Sequence, residues 1–319
     1  MAHLVQTMAY VGGTPWHGLG NQLTPKQPLA VWAKQAGMDW DIKESPVCFM
    51  TGKAGHLGGI RSYEDHKVLF RSDSKEPLSV VSQRYKVVQP KEILEFYRDL
   101  TEISGFELET AGVLKGGRKV WALARTGQSV TFKGDDTTNG YVLLATACDG
   151  TLATTAQFTS IRVVCNNTLT IALDGRPSAV KVPHSTTFDP QAVKKQLGIC
   201  VSAWDEFMLR LKALSERKVK PVEAKNYFLR VFSDETKPGS IQTSERLMGN
   251  ALSLFDGKGK GANLASSKGT AFGLLNAVTQ FVDHERRARN VDNRLDSAWF
   301  GAGADLKQKA LDQALAMVA

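Results

Sequence analysis

The sequence lacks the features that define several classes of protein. Its four cysteines, Cys48, Cys148, Cys165 and Cys200, lie far apart and form no CxxC pair, which excludes a disulfide scaffold. No apolar run approaches the roughly 20 residues of a membrane-spanning helix. The first residues also lack the basic-then-apolar profile of a secretory signal. We therefore expect a cytoplasmic protein with reduced thiols and no membrane partner.

Motifs of catalysis are also missing. The six histidines form neither an HxH nor an HExxH pattern, and the chain has no GxSxG nucleophile motif. The glycine- and lysine-rich stretch 256–263 lacks the Lys-Ser or Lys-Thr pair of a phosphate-binding P-loop. We interpret this stretch as an exposed, mobile basic loop. From the motifs we predict no catalytic residue, no metal site and no cofactor.

A basic charge is concentrated in one half of the chain. The 319 residues carry 40 Lys and Arg against 32 Asp and Glu, a formal net charge of +8. Residues 160–319 hold 23 of the basic and 16 of the acidic side chains, so their net charge is +7. Such an excess is typical of nucleic-acid binders, although many basic proteins bind no nucleic acid.

Before residue 187, the pattern predicts an antiparallel sheet. An apolar repeat at helical spacing after Pro90 predicts a helix over 90–103. Gly116-Gly117 marks a hairpin turn, and the apolar run 120–124 after it indicates a central strand covered on both faces. Capping side chains at 166–168 predict a short helix or turn. The predicted strands are 78–81, 85–88, 106–114, 118–125, 141–147 and 152–164.

After residue 187, helical periodicity dominates. Asp189-Pro190 predicts the start of a long helix, whose apolar residues recur in steps of four and three. This seam packs on the sheet or, alternatively, forms a coiled coil between subunits, and we favour the first interpretation. The seam residues are Val193, Leu197, Cys200, Trp204, Phe207, Leu211 and Leu214. Further helices are predicted at 221–232, 243–255, 270–288 and 304–318.

The predicted fold class is therefore α+β. An antiparallel sheet with flanking helices occupies residues 1–186, and a mostly helical region occupies residues 187–319.

Basic side chains next to aromatic ones provide the candidate binding site. Cations along a groove neutralise phosphates, and an aromatic face stacks on any base, which together suit single-stranded nucleic acid. Trp121 is the candidate stacking residue, with Tyr85 as a second, although for Trp121 taken alone we favour a place in the core. The candidate nucleic-acid-binding residues are Arg118, Lys119, Trp121, Arg125, Arg162, Lys194 and Lys195.

Seven short strings occur along the chain in a fixed order. They are Thr14–Gly20, Val81–Pro90, Glu109–Gly112, Gly117–Trp121, Asp149–Thr151, Arg162–Leu169 and Val282–Arg286. Together they resemble the phage/plasmid-like protein family, a class of unknown function encoded by prophages, phages and conjugative plasmids. Cys148 stands where this pattern leads us to expect a histidine. The resemblance implies a mobile-element protein and, by analogy of fold alone, similarity to single-strand annealing proteins.

We expect a non-enzymatic protein that binds single-stranded DNA, with RNA as the alternative strand, and works as a homo-oligomer in phage or plasmid replication and recombination. Strand annealing is the specific form of that activity. A second hypothesis is a metal-dependent enzyme acting on nucleic acid, with Glu109, Asp149 and His184 as candidate ligands or base. A third is an interaction or scaffold protein that docks through the seam.

Overall fold

The computed structural model describes residues 7–13, 20–52, 58–104, 106–164, 167–170, 179–201, 204–233 and 245–318. The fold is α+β, as predicted. The chain forms two compact units: the first contains Met1–Ala124, Val142–Ala156 and Ala179–Leu197, and the second contains Arg125–Tyr141, Gln157–Ser178 and Gly198–Ala319. Three long strands, Lys119–Phe132, Asp136–Ala147 and Thr154–Arg162, each contribute residues to both units. Residues 14–19 of the Thr14–Gly20 string lie outside the described residues.

The first unit contains one sheet whose strands β8, β7, β6, β1 and β2 lie side by side in that order. Strand β1 pairs parallel with β2 and antiparallel with β6. A separate three-stranded antiparallel sheet, β3–β4–β5, belongs to the same unit. The strands are β1 (Thr7–Val11), β2 (Asn21–Leu23), β3 (Ile42–Met50), β4 (Ile60–Arg71), β5 (Pro77–Ser82), β6 (Glu107–Leu114), β7 (Lys119–Phe132), β8 (Asp136–Ala147), β9 (Thr154–Arg162), β10 (Asn167–Thr170) and β11 (Ala179–Val182).

The predicted hairpin is confirmed at β6 and β7. The two strands flank a short 3₁₀ turn at Lys115–Gly117, in which Gly116 and Gly117 have φ angles of 70° and 108°. Only glycine adopts these angles without strain, and a Cβ on Gly117 would lie 3.1 Å from the Trp40 ring. The run 120–124 is buried throughout, as expected of a central strand.

The helix predicted over 90–103 is confirmed, whereas the strand predicted over 85–88 is wrong. The helices of the chain are α1 (Leu29–Gln35), α2 (Pro90–Ser104), α3 (Pro190–Val201), α4 (Trp204–Glu216), α5 (Pro221–Phe232), α6 (Glu245–Ser253), α7 (Ala271–Gln280), α8 (Val291–Phe300) and α9 (Ala302–Leu315). At 85–88 the backbone leaves the sheet: the Lys86 N–H donates to the His184 carbonyl at 2.6 Å, and the Tyr85 ring stacks on the His184 ring.

The second unit combines the other parts of β7, β8 and β9 with β10 and most of the C-terminal helices. The helix or turn predicted after Cys165 is wrong, because Asn167–Thr170 forms strand β10 and pairs antiparallel with β9, with Asn167 opposite Arg162. Its alternation of Thr and Leu suits a half-buried strand. Helices α6 and α7 each continue into a π-helical turn, at Leu254–Lys258 and Phe281–Glu285 respectively.

The apolar seam is buried within the chain itself. Val193 and Leu197 lie in the core of the first unit. The core of the second unit contains Trp204, Phe207, Leu211 and Leu214. The Trp204 ring contacts the Phe158 ring at a centroid distance of 5.7 Å. The side chain of Cys200 and residues 202–203 are outside the described part of the chain. Packing on the chain's own core is therefore confirmed for these residues, and none of them is available as a docking surface.

No helix in the described ranges is long and apolar enough to cross a bilayer.

Candidate anion-binding site

Two of the strings quoted above meet in the second unit. The backbone N–H and hydroxyl of Thr168 donate to the Asp283 carboxylate at 2.8 and 3.2 Å. The Asp283 carboxylate also accepts from the buried Lys307 ammonium at 2.8 Å. The Asn167 side-chain oxygen lies 3.0 Å from His284 Nε2, which identifies that nitrogen as the donor. A buried polar network thus fixes the π-helical turn Phe281–Glu285 against strand β10.

A second buried ion pair, between Arg162 and Asp136, lies at the start of the string Arg162–Leu169. The Arg162 guanidinium donates from Nε and Nη2 to the two Asp136 carboxylate oxygens, at 2.7 and 2.6 Å. The Ser266 hydroxyl also donates to this carboxylate, and Arg162 Nη2 reaches the Ser267 hydroxyl at 2.8 Å. Arg162 and Asp136 are only 3% and 0% exposed. This bidentate ion pair is part of the core, so Arg162 offers no free charge to a phosphate.

The loop 256–263, predicted to be mobile, is held by specific contacts. The Lys260 N–H donates to the Gln280 side chain at 2.7 Å, and the Gly261 carbonyl accepts from Arg162 at 3.2 Å. Gly261 has a φ of 69°, and a Cβ there would lie 2.7 Å from Val164. Glycine is therefore required by the backbone angle and by the close approach, whereas the sequence pattern indicated flexibility. The Lys258 and Lys260 side chains remain exposed.

Arginine side chains gather immediately after the fixed π-helical turn. Arg286, Arg287 and Arg289 follow the turn, and Arg294 comes from α8. Together they line a cavity of about 320 Å³ in the second unit. The rest of its wall is formed by Val282, Ala288, Asn293 and Ser297. We call this feature the arginine cavity.

Two guanidinium nitrogens of the arginine cavity lack acceptors. Arg286 Nη1 and Arg294 Nε are buried, and neither makes a hydrogen bond to any residue that the structure describes. A buried N–H group without an acceptor is unfavourable by about 1–3 kcal/mol, and more for a charged group. An anion is the ligand that arginine residues around a cavity favour, and phosphate oxygens match the forked donor geometry of arginine. Among the residues that the structure describes, the arginine cavity is therefore our candidate for a ligand site.

The predicted binding residues fall into buried and accessible groups. Lys119 and Trp121, like Arg162, are buried, so we correct their assignment to the interface: a side chain enclosed in the core cannot neutralise a phosphate or stack on a base. Arg118, Arg125 and Lys195 are exposed, and Lys194 is half-buried with its ammonium 5.2 Å above the Phe96 ring. The Tyr85 ring is also engaged, because it stacks on His184 and its hydroxyl donates to the Ala147 carbonyl at 2.6 Å.

Two residues of the metal-enzyme hypothesis, Asp149 and His184, have structural partners in the first unit. The Asp149 carboxylate accepts from the N–H and hydroxyl of Thr151 at 3.0 and 2.6 Å, which is typical of an Asx turn. The ring nitrogens of His184 lie 2.9 and 3.0 Å from the carbonyls of Lys86 and Leu152. Throughout the described ranges, no group of three or more His, Cys, Asp or Glu side chains is arranged to hold a metal ion.

Sequence reasoning missed the arginine cavity. Four arginines occur within the nine residues 286–294, a density that charge patterning can detect. The predicted binding residues were instead cations beside aromatic residues, and two of those cations, Lys119 and Arg162, are buried, as is Trp121. Charge spacing was the available signal, whereas the cavity itself depends on α8 folding back towards the turn.

The fold and the site define an α+β protein with a concave arginine-lined site in its second unit. A family model described as a domain of unknown function (DUF932) matches residues 77–299, so the chain belongs to that family. The match includes the arginine cavity, the Arg162–Asp136 ion pair and the Asp283 network except for Lys307. No curated protein matches the chain significantly, and no solved structure does so.

Proposed function

We propose that this protein binds single-stranded DNA without catalysing a reaction on it, and that it acts in the replication or recombination of a phage or plasmid. RNA is the alternative strand. Strand annealing by a homo-oligomer is the specific form of this proposal. The observation that carries it is the arginine cavity, where buried guanidinium nitrogens lack acceptors.

The charge distribution supports the same ligand. Residues 160–319 have a net charge of +7, and the cavity belongs to this half of the chain. Exposed cations outside the cavity, Arg118, Arg125 and Lys195, are further candidates for contacts to the backbone. Because such contacts release counterions, affinity should fall steeply with salt, with a log–log slope of roughly −0.7 for each phosphate neutralised on a single strand.

The proposal is tested by fluorescence anisotropy with a labelled single-stranded oligonucleotide over a range of salt concentrations. The variant Arg287→Ala/Arg289→Ala removes two exposed cavity arginines and should leave the fold intact. We expect it to weaken binding on the order of 10-fold at low salt and to make the salt slope shallower.

The matched control is Arg61→Ala/Arg84→Ala, which removes the same charge from exposed positions outside the cavity. This variant should bind nearly as well as the parent protein. Absence of binding by the parent protein, or equal loss in the two variants, would contradict the proposal.

A further inference from the structure

The size of the arginine cavity restricts what it can hold. Ligand pockets in proteins range over roughly 300–1,000 Å³, so a volume of about 320 Å³ suits one small polar group rather than a long polymer segment. A strand that merely passes over the surface would present its phosphates one after another to cations spread along its path. Here four arginine residues line one cavity.

The donor inventory favours a phosphate with a high charge. Each guanidinium provides five N–H donors and no acceptor. An internal phosphodiester offers one negative charge and two non-bridging oxygens, whereas a phosphomonoester offers a charge of about −1.5 to −2 and three strong acceptor oxygens. Four arginines around one cavity therefore match a monoester better than a diester.

Helix α8 adds to this preference. Its first turn is capped by the Asn290 side chain, which accepts from the Asn293 N–H at 2.8 Å, and Asn293 and Arg294 line the cavity. The partial positive charge at a helix N-terminus stabilises an anion, most strongly one with the larger charge. This contribution acts together with the arginines.

Arg286 directly follows a turn that is held by contacts within the chain itself. The Arg286 N–H donates to the Phe281 carbonyl at 2.7 Å, and the turn between these residues is held by the Asp283–Lys307 ion pair and by His284. A preorganised site loses little conformational entropy when the anion enters. The network thus positions Arg286 without contacting the ligand.

We propose that the arginine cavity binds the terminal phosphomonoester of a nucleic-acid strand. This inference rests on the proposed function and specifies its ligand: the protein recognises strand ends that carry a phosphate in addition to binding the backbone. The 5′ and 3′ ends present the same chemistry, so the experiment identifies which of them is recognised.

The test compares three oligonucleotides of one sequence, each with an internal fluorophore, that carry a 5′-phosphate, a 3′-phosphate or two free hydroxyl ends. We expect one phosphorylated oligonucleotide to bind on the order of 10- to 100-fold more tightly than the unphosphorylated one. Arg287→Ala/Arg289→Ala should reduce this preference. Arg286→Lys/Arg294→Lys keeps the charge but removes the forked donors, and should reduce it as well. Arg61→Ala/Arg84→Ala should preserve it.

The outcomes separate this inference from the proposed function. Equal affinity for all three oligonucleotides, together with weaker binding by the cavity variants, would refute end recognition and leave backbone binding intact. Absence of oligonucleotide binding would refute both. Competition by a free nucleoside monophosphate as effective as that by the phosphorylated oligonucleotide would also overturn the inference, because the ligand would then be a mononucleotide.

Discussion

Replacement of Asp136 by asparagine should strongly destabilise the second unit. The substitution keeps the size of the side chain and removes its charge, while the Arg162 guanidinium stays enclosed with 3% exposure. Asparagine keeps one oxygen as an acceptor, so Arg162 would lose its anionic partner and one of its two hydrogen bonds, now 2.7 and 2.6 Å long. The Ser266 hydroxyl, which donates to the same carboxylate, would lose its charged acceptor.

The magnitude follows from leaving a charge buried and uncompensated. Removal of one partner of a buried ion pair typically lowers the free energy of unfolding by about 3–5 kcal/mol. With a denaturant dependence of about 2 kcal/mol per molar urea, the midpoint of unfolding should fall by roughly 1.5–2.5 M. The double variant Asp136→Leu/Arg162→Met should lose less than the single variant, because no unpaired charge remains.

Equilibrium unfolding in urea, followed by tryptophan fluorescence and far-ultraviolet circular dichroism, measures these differences. The control is Asp41→Asn, which breaks the 3.1 Å ion pair of Lys43 with Asp41, whose side chains are both more than half exposed. A surface pair contributes only about 0–1 kcal/mol, so the control should unfold near the parent midpoint. A loss from Asp136→Asn as small as that of the control would refute the reasoning, as would a double variant less stable than the single one.

Three further predictions concern the first unit. Burial raises the pKa of the Cys148 thiol to about 12, and the nearby Asp149 charge adds to this shift. Cys148 should therefore resist alkylation at neutral pH while exposed Cys48 reacts, as peptide mapping would reveal, and rapid labelling of both would contradict this. Because folding raises the pKa of Cys148, the protonated thiol contributes to the free energy of unfolding. This contribution should be complete below the ordinary thiol pKa near 9 and should be lost as the pH rises from there towards 12. The buried Tyr97 hydroxyl donates to the carbonyls of Ala122 and Val142 at 2.7 and 3.0 Å. Tyr97→Phe should therefore lower the free energy of unfolding by about 1 kcal/mol. An unchanged urea midpoint would show that these hydrogen bonds contribute nothing.

Local patterns predicted the elements whose structure depends on neighbouring residues. The apolar repeat after Pro90 predicted α2 to within one residue at its end, and Gly116-Gly117 predicted the turn between β6 and β7. Helix periodicity and glycine conformation are properties of a few consecutive residues, so a sequence window contains the necessary information.

The errors concern segments whose structure depends on distant partners. Asn167–Thr170 became a strand because β9 offered a pairing edge, although its capping residues favoured a helix or turn. The Gly261 loop is held by Arg162, which lies 99 residues away in the chain. Local composition carries no record of these contacts.

The candidate site illustrates the same difference. The net charge of residues 160–319 and the cluster of four arginines at 286–294 are properties of the sequence itself. Which cations remain accessible was decided by the tertiary structure: Arg162 is neutralised by Asp136 in the core, whereas Arg286 and Arg294 line a cavity with buried nitrogens that lack acceptors. Charge is an attribute of each residue alone, but its availability to a ligand depends on burial and pairing, which arise only when distant segments pack together.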